Sequence, residues 1–349
     1  MVAYEQLLSL LGRERELDPK AMEQASARWD QLAKPVGSLG LLEEVVVKLA
    51  GIQGCPDVRI AKRVPMVMCS DNRVLAQGVA QTPDQITAAM AGLIADGRSS
   101  VCIMADRAGV DIVTVDMGMF TPPAHEGILN RRIAAGTADM TLGPAMSREE
   151  AKRAIMTGVE LAEDMKASGY DILVTGEMGI GNTTTSSALA SSLLGLEVES
   201  VTGRGAGLSD QGLVRKVQAI QKAKLVNCPD PKDPLDLLHK LGGFDIASLC
   251  GVFLGGALQG FPVVIDGLIS AVSALLATRF CPWARNYMLA SHQSAEPAAQ
   301  AILQTLWLLP LIRAGMRLGE GTGAVAALPL MDMGLAVYRD LITSEAIGL

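Results

Sequence analysis

Apolar positions change their spacing along the chain. The first fifty residues are polar and helically spaced, with Lys34-Pro35-Val36-Gly37-Ser38-Leu39-Gly40 breaking the pattern before a helix-like run from Leu41 to Gly51. From Val64 onward, short β-rich runs alternate with longer helical stretches. Val64–Cys69, Asp111–Met117, Asp171–Thr175 and Pro262–Ile265 are strand candidates, and Asn286–Ala290 is a further one. Ser147-Arg148-Glu149-Glu150 forms a capping box before Ala151–Ala167, and Ser209 is placed to cap the helix that carries Lys216. Ala324–Ile342 is helical by spacing and can return to the N-terminal helices. The alternation predicts an α/β fold with a mostly parallel sheet flanked by helices. Residues 1–55 and 324–349 are expected to form a small helical domain, and residues 56–323 a large α/β domain.

Ile246–Ile265 carries no charge for twenty residues, the length of a membrane span. It also holds Gln259, Pro262 and four glycines, and Asp266 leads at once into a second apolar run, Gly267–Thr278. Buried helix, strand and buried helix fit this pattern, so no membrane is expected.

Composition narrows the function. Apolar residues make up 49% of 349, enough for a large core, which excludes disorder as the dominant state. Thirty basic against 37 acidic residues give a net charge of -7, and no basic stripe interleaved with aromatics occurs, so nucleic acid is not an expected partner. Cys55, Cys69, Cys102, Cys228, Cys250 and Cys281 lie far apart, with no C-x-x-C pair and no signal-peptide pattern before them. They read as reduced core thiols of a cytoplasmic protein. His125, His239 and His292 lack metalloenzyme spacing, and neither a metal nor another cofactor is expected.

Three glycine-dense segments carry the candidate chemistry. Gly176-Glu177-Met178-Gly179-Ile180-Gly181-Asn182-Thr183 follows a strand candidate and precedes a helix. Its glycines allow close backbone approach, and the helix amides with the Thr hydroxyls can hold phosphate. A tight strand-to-helix turn is the competing reading, since the segment matches neither a Walker A loop nor G-x-G-x-x-G. Gly203-Arg204-Gly205 is a second loop, with Arg204 and Lys216 as candidate phosphate contacts or plain solvated charges. In Leu318-Gly319-Glu320-Gly321 a carboxylate sits between glycines, either as a partly desolvated general base or as an exposed turn residue. Ser291-His292 is no hydrolase signature, because no G-x-S-x-G elbow accompanies it.

At these segments, and at Lys34-Pro35 through Gly40, Asp266-Gly267 and Ser291 to Pro297, the chain resembles the nicotinate-nucleotide:dimethylbenzimidazole phosphoribosyltransferase family of cobamide lower-ligand assembly, over nearly its whole length. The resemblance implies a Rossmann-like sheet, a small domain from both chain ends, and a dimer whose partner contributes to each site. It implies that nicotinate mononucleotide is the donor and an aromatic base the acceptor. Phosphate would be held by Gly176 to Thr183, Gly203 to Gly205 and Lys216, with Ser291 and Gly319 also at the substrate. Glu320 would be the base, and Glu177 would support the ribose or position the site. Where the family usually has Asp-His-Gly, this chain has Asp71-Asn72-Arg73. That departure borders the expected acceptor pocket, to which Ala80, Ala88 and Leu318 are assigned. Some members use phenolic acceptors such as phenol or p-cresol, and some work as unlike paired subunits. A homodimer, a heterodimer with a paralogue, and a partner-dependent or non-catalytic subunit therefore stay open.

Overall fold

The computed structural model describes residues 4–348. Six strands form one parallel sheet: β1 (Arg63–Ser70), β2 (Val113–Gly118), β3 (Ile128–Asn130), β4 (Ile172–Met178), β5 (Val263–Ile265) and β6 (Met288–Ala290), in the order β3-β2-β1-β4-β5-β6. The chain builds outward from β1 in one direction and from β4 in the other, so strand order reverses between these two central strands. Open α/β sheets bind ligands at such a switch point, beyond the carboxyl ends of the strands.

Every central strand is covered on both faces, which is why the strands read as continuous apolar runs. Successive side chains enter opposite cores, as a period of two requires. Met66 and Met68 join one core, Val67 and Cys69 the other, and Val263 and Val264 divide in the same way. On the first face lie helices Arg148–Ala167, Phe244–Gln259 and Leu268–Phe280. The apolar run at Ile246–Ile265 resolves here into a buried helix and β5. Glycines on both helices serve their crossing: a Cβ on Gly251 would run into the Ile155 carbonyl, and one on Gly158 of helix Arg148–Ala167 into that of Ser248. The second face is covered by helices Pro19–Gln31, Leu41–Gln53, Gln85–Ala95, Ser100–Ala108 and Thr322–Asp340. The stretch Gln85–Ala108 is long and apolar enough to cross a membrane, but it bends between Asp96 and Ser99 and packs on the sheet and on helix Thr322–Asp340.

Local signals explain several boundaries. Asp18 caps Ala21 ahead of Pro19, and Ser147 and Glu150 complete the capping box read from sequence. Helix Thr322–Asp340 packs on helix Leu41–Gln53 as well as on β4, and the Arg28 guanidinium donates to the Tyr338 carbonyl, so the two chain ends lie together. The structure corrects three expectations. Strand β4 continues through Met178, so Gly176 and Glu177 are strand residues. Asn286–Tyr287 belongs to a 3-10 turn before β6. Cys55 and Cys228 are exposed rather than core thiols, because each lies at or beyond the C-terminal end of a helix.

Candidate active site

A cavity of about 400 Å³ opens at the carboxyl end of β4. Glu177 to Thr183 form its floor, Arg204 to Ala206 with Leu208 one side, 317–320 another, and Val79, Ala80, Ile86 and Met90 an apolar wall beside Gln81 and Thr82.

The three glycines of the first segment do different work. A Cβ on Gly176 would sit 2.8 Å from the Glu320 carbonyl oxygen, so this glycine lets the 319–321 loop rest on the strand and does not itself reach the cavity. Gly179 passes against the Ser70 carbonyl at the end of β1, where a Cβ would collide. Gly181 has a φ of 92° and opens helix Asn182–Leu194 without a side-chain cap. The uncapped helix start faces the cavity, and its amides are suited to an anion.

Glu320 lies in the most constrained stretch. Gly319, Glu320 and Gly321 have φ of 83°, 61° and 88°. A non-glycine residue in this region costs on the order of 1–3 kcal/mol, so the fold must hold it there. Part of the hold comes from Asp266, whose carboxylate accepts from the amides of Gly321 (3.1 Å) and Ala324 (2.9 Å) and caps helix Thr322–Asp340 from outside it. The Glu320 side chain is buried, and its Oε2 has no hydrogen-bond partner. Burial, reinforced by the Asp266 charge, pushes its carboxyl above the usual range. A buried, unpaired carboxylate with raised proton affinity is a fitting general base.

Behind it, Glu177 and Asp245 share one amide. The Asn182 Nδ2 donates to both carboxylates, at 3.0 Å to Asp245 Oδ2 and more closely to Glu177 Oε2. Burial, then the Asp245 charge, pushes Glu177 up to about 8 against the opposing Asn182 hydrogen bond. Burial pushes Asp245 up to about 6. Sequence reading missed Asp245, whose place in an apolar helix gave no signal. Glu177, Asp245, Asp266 and Glu320 make no salt bridge among the described residues, and with Glu177 holding its proton at neutral pH the other three carboxylates make an acidic well that favours a cationic ligand.

Lys216 and Gly203 lie outside the cavity lining, behind Thr183. The lysine is fully buried, and its Nζ donates to Thr183 Oγ1 (2.8 Å) and the Gly203 carbonyl (2.9 Å). Burial brings it down to about 8. The two glycine segments thus meet at one ammonium. The Gly205 amide is already taken by Glu296 Oε1 at 3.0 Å. Arg204 lines the cavity, yet its guanidinium is turned to the Leu208 carbonyl and to Asp210.

Other assignments divide. Ala80, Leu318, Gly319, Met178, Gly179, Ile180, Gly181 and Asn182 line the cavity. Ala88 does not: on its helix, Ile86 and Met90 are one turn apart and face the ligand space, while Ala88 points elsewhere. Ser291 lies beneath the site, its hydroxyl bonded to the Ile265 carbonyl (2.6 Å) and to His292 Nδ1 (3.0 Å). His292, Ser294, Glu296 and Arg317 line the cavity in addition. Asp71-Asn72-Arg73 lies outside the lining. Asp71 accepts from the Phe120 amide, Arg73 stacks on the Phe120 ring, and the buried amide of Asn72 lies near Asp245 with neither polar atom partnered. Among the described residues no cluster of three or more His, Cys, Asp or Glu could hold a metal.

Residues 15–348 match a family model described as "Phosphoribosyltransferase". The chain is 44% identical over 329 residues to the nicotinate-nucleotide–dimethylbenzimidazole phosphoribosyltransferase of Ruminiclostridium cellulolyticum, covering 94% of each chain. It is 42% identical over 343 residues to the protein of that name from a Roseiflexus species, covering 98% of this chain and 97% of the other. The crystal structure of a protein of that name from Thermus thermophilus superposes with a TM-score of 0.89 at 37% identity, covering 95% of this chain and 99% of that one.

Proposed function

The chain belongs to the nicotinate-nucleotide–dimethylbenzimidazole phosphoribosyltransferase family, and on that premise we propose that it moves phosphoribose from nicotinate mononucleotide to an aromatic base, giving an α-ribotide. The observation that carries this reading is a buried, unpartnered carboxylate at Glu320 lining the cavity, together with an ammonium at Lys216 buried behind the cavity residue Thr183.

The donor's phosphate sits at the uncapped start of helix Asn182–Leu194, with Lys216 beneath it. Its cationic pyridinium lies toward the acidic well of Asp245, Asp266 and Glu320. Nicotinate leaves as a neutral ring carrying the electron pair of the broken C–N bond, so little acid assistance is needed. Positive charge moves onto the ribose as that bond breaks, and the well favours it there. The acceptor, against Val79, Ala80, Ile86, Met90 and Leu318, gives its proton to Glu320 as its ring nitrogen, or phenol oxygen, bonds to C1. Fixed positions for both partners supply much of the acceleration.

The apolar wall is compatible with a benzimidazole or with a phenol such as p-cresol. A second subunit, either another copy or a paralogue, is part of this reading. Its support is the apolar cleft of about 640 Å³ flanked by exposed Val36, Trp307 and Leu309. The division into a helical unit of 1–55 with 324–349 and an α/β unit of 56–323 also belongs to it. Mass spectrometry of products from nicotinate mononucleotide with dimethylbenzimidazole, and separately with p-cresol, tests the proposal. Release of nicotinate with a new ribotide mass supports it, and failure of the chain to bind the nucleotide at all overturns it.

A further inference from the structure

Glu296 stands where the two glycine segments meet. Its backbone follows a stretch pinned by Gln293 donating to the Ile312 carbonyl and Ala295 to that of Met316, both at 2.9 Å, which directs the side chain at Gly203–Gly205. Oε1 accepts the Gly205 amide at 3.0 Å. Oε2 fills the space where Gly203 would carry a Cβ, and it is buried without a partner. On the far side of this segment Lys216 donates to the Gly203 carbonyl and to Thr183 Oγ1, which itself lies against Gly205. One three-residue segment therefore has a carboxylate on one side and a buried ammonium on the other.

Lys216 forms no salt bridge among the described residues, and the other acids on the elements around it have partners elsewhere, Glu199 with the Gln221 amide among them. Helix Asn182–Leu194 has no ionisable side chain. Arg204 is bound to Asp210, and Arg215 donates to the Gly78 carbonyl. Lys224 lies beside Ser191, with Glu197 as its nearby charge. Asp236 pairs with Arg148, His239 and Lys240. Glu296 is the one carboxylate whose field supports the lysine's charge against burial.

We propose that Glu296 is a positioning residue, which acts through the Gly203–Gly205 segment and through its negative charge to keep the Lys216 ammonium available to the donor's phosphate. This rests on the phosphoribosyltransfer reading above. A carboxylate beside a phosphate site would otherwise only repel the ligand, and the two roles have opposite consequences.

The test measures donor KM, kcat and inhibition by inorganic phosphate from pH 6 to 9.5 for the wild type, Glu296→Gln and Glu296→Asp. Gln keeps an acceptor for the Gly205 amide and removes the charge, whereas Asp keeps the charge and shortens the reach. The expected result is a higher donor KM and weaker phosphate inhibition in Glu296→Gln, with kcat at saturating donor changed much less. The rise in KM begins at lower pH than in the wild type and then grows about tenfold per pH unit, as a single titrating lysine requires. Glu296→Asp keeps the wild-type pH midpoint, and this arm stands if the Gln protein does not fold. Unchanged or tighter phosphate binding in Glu296→Gln would overturn the proposal, as would the same shifted midpoint in Glu296→Asp. A wild type that binds neither donor nor phosphate would instead defeat the underlying reading.

Discussion

Replacing Lys216 by Met separates what the residue costs the fold from what it contributes to binding. The side chain is fully buried, and burial lowers its ammonium from an ordinary 10.5 to about 8. At about 1.4 kcal/mol per unit, holding it charged at neutral pH costs the folded state about 3 kcal/mol. Methionine is of similar length and removes that cost, but it leaves the Gly203 carbonyl and Thr183 Oγ1 without their donor. Bonds from a charged donor are worth about 1.5–3 kcal/mol each, so the two losses offset or outweigh the relief, and Lys216→Met should lie between equal to the wild type and about 3 kcal/mol less stable at pH 7. The sign of the pH dependence follows from the lowered value. Below pH 8 the lysine is charged in both folded and unfolded chains and the penalty is complete. Between pH 8 and 10.5 the folded chain has released a proton that the unfolded chain keeps, so the wild type gains on the variant as pH rises. Urea unfolding of both proteins at pH 7 and pH 9.5 measures the difference. The same substitution should raise donor KM roughly 10- to 100-fold, the worth of a charge-assisted hydrogen bond to phosphate. A variant more stable than the wild type by about 2 kcal/mol at pH 7, or a stability difference that ignores pH, would refute the reasoning.

Glu320→Gln should lower kcat by about 10²- to 10⁴-fold, the range of a general base, with donor KM little changed in steady-state assays. The wild-type rate should climb with pH above the usual carboxylate range as Glu320 loses its proton, then fall above about 8 as Lys216 loses its charge. Glu177, pushed up to about 8, keeps a proton that the unfolded chain releases above its ordinary 4.5. Stability is therefore lost as pH rises from 4.5 to 8, and Glu177→Gln should gain on the wild type by up to about 5 kcal/mol over that window in urea unfolding. Gly176→Ala, whose Cβ would press on the Glu320 carbonyl, should cost about 1–3 kcal/mol and most of the activity, read by melting and turnover. Met90→Ala should raise acceptor KM several-fold and leave donor KM alone, whereas Ala88→Ser, on the other face of the helix, should change neither.

The fold class was legible because buried parallel strands leave continuous apolar runs between helical stretches, and the capping box at Ser147 marks a helix start by itself. Strand β3 and the end of β4 were not, since three residues carry no period and Gly176-Glu177-Met178 reads as a turn by composition. In the site, glycine density located the loops, but the reason for each glycine lies in tertiary neighbours, as with Gly176 against Glu320. Asp245 and Glu296 are single acids whose roles depend on long-range partners, Asn182 and Gly205. Ala88 lies off the cavity because Ile86 and Met90, one helical turn apart, present the face of the helix that lines it.

The most direct test of the account is to supply nicotinate mononucleotide and dimethylbenzimidazole to the wild type and to Glu320→Gln, and to follow nicotinate and ribotide by mass spectrometry. The account predicts nicotinate and α-ribotide in equal amounts from the wild type, and a rate lower by at least about 10²-fold from a variant that still binds the nucleotide. Equal rates from the two proteins would contradict the role of Glu320, and nucleotide binding without any ribotide from the wild type would contradict catalysis by this chain alone.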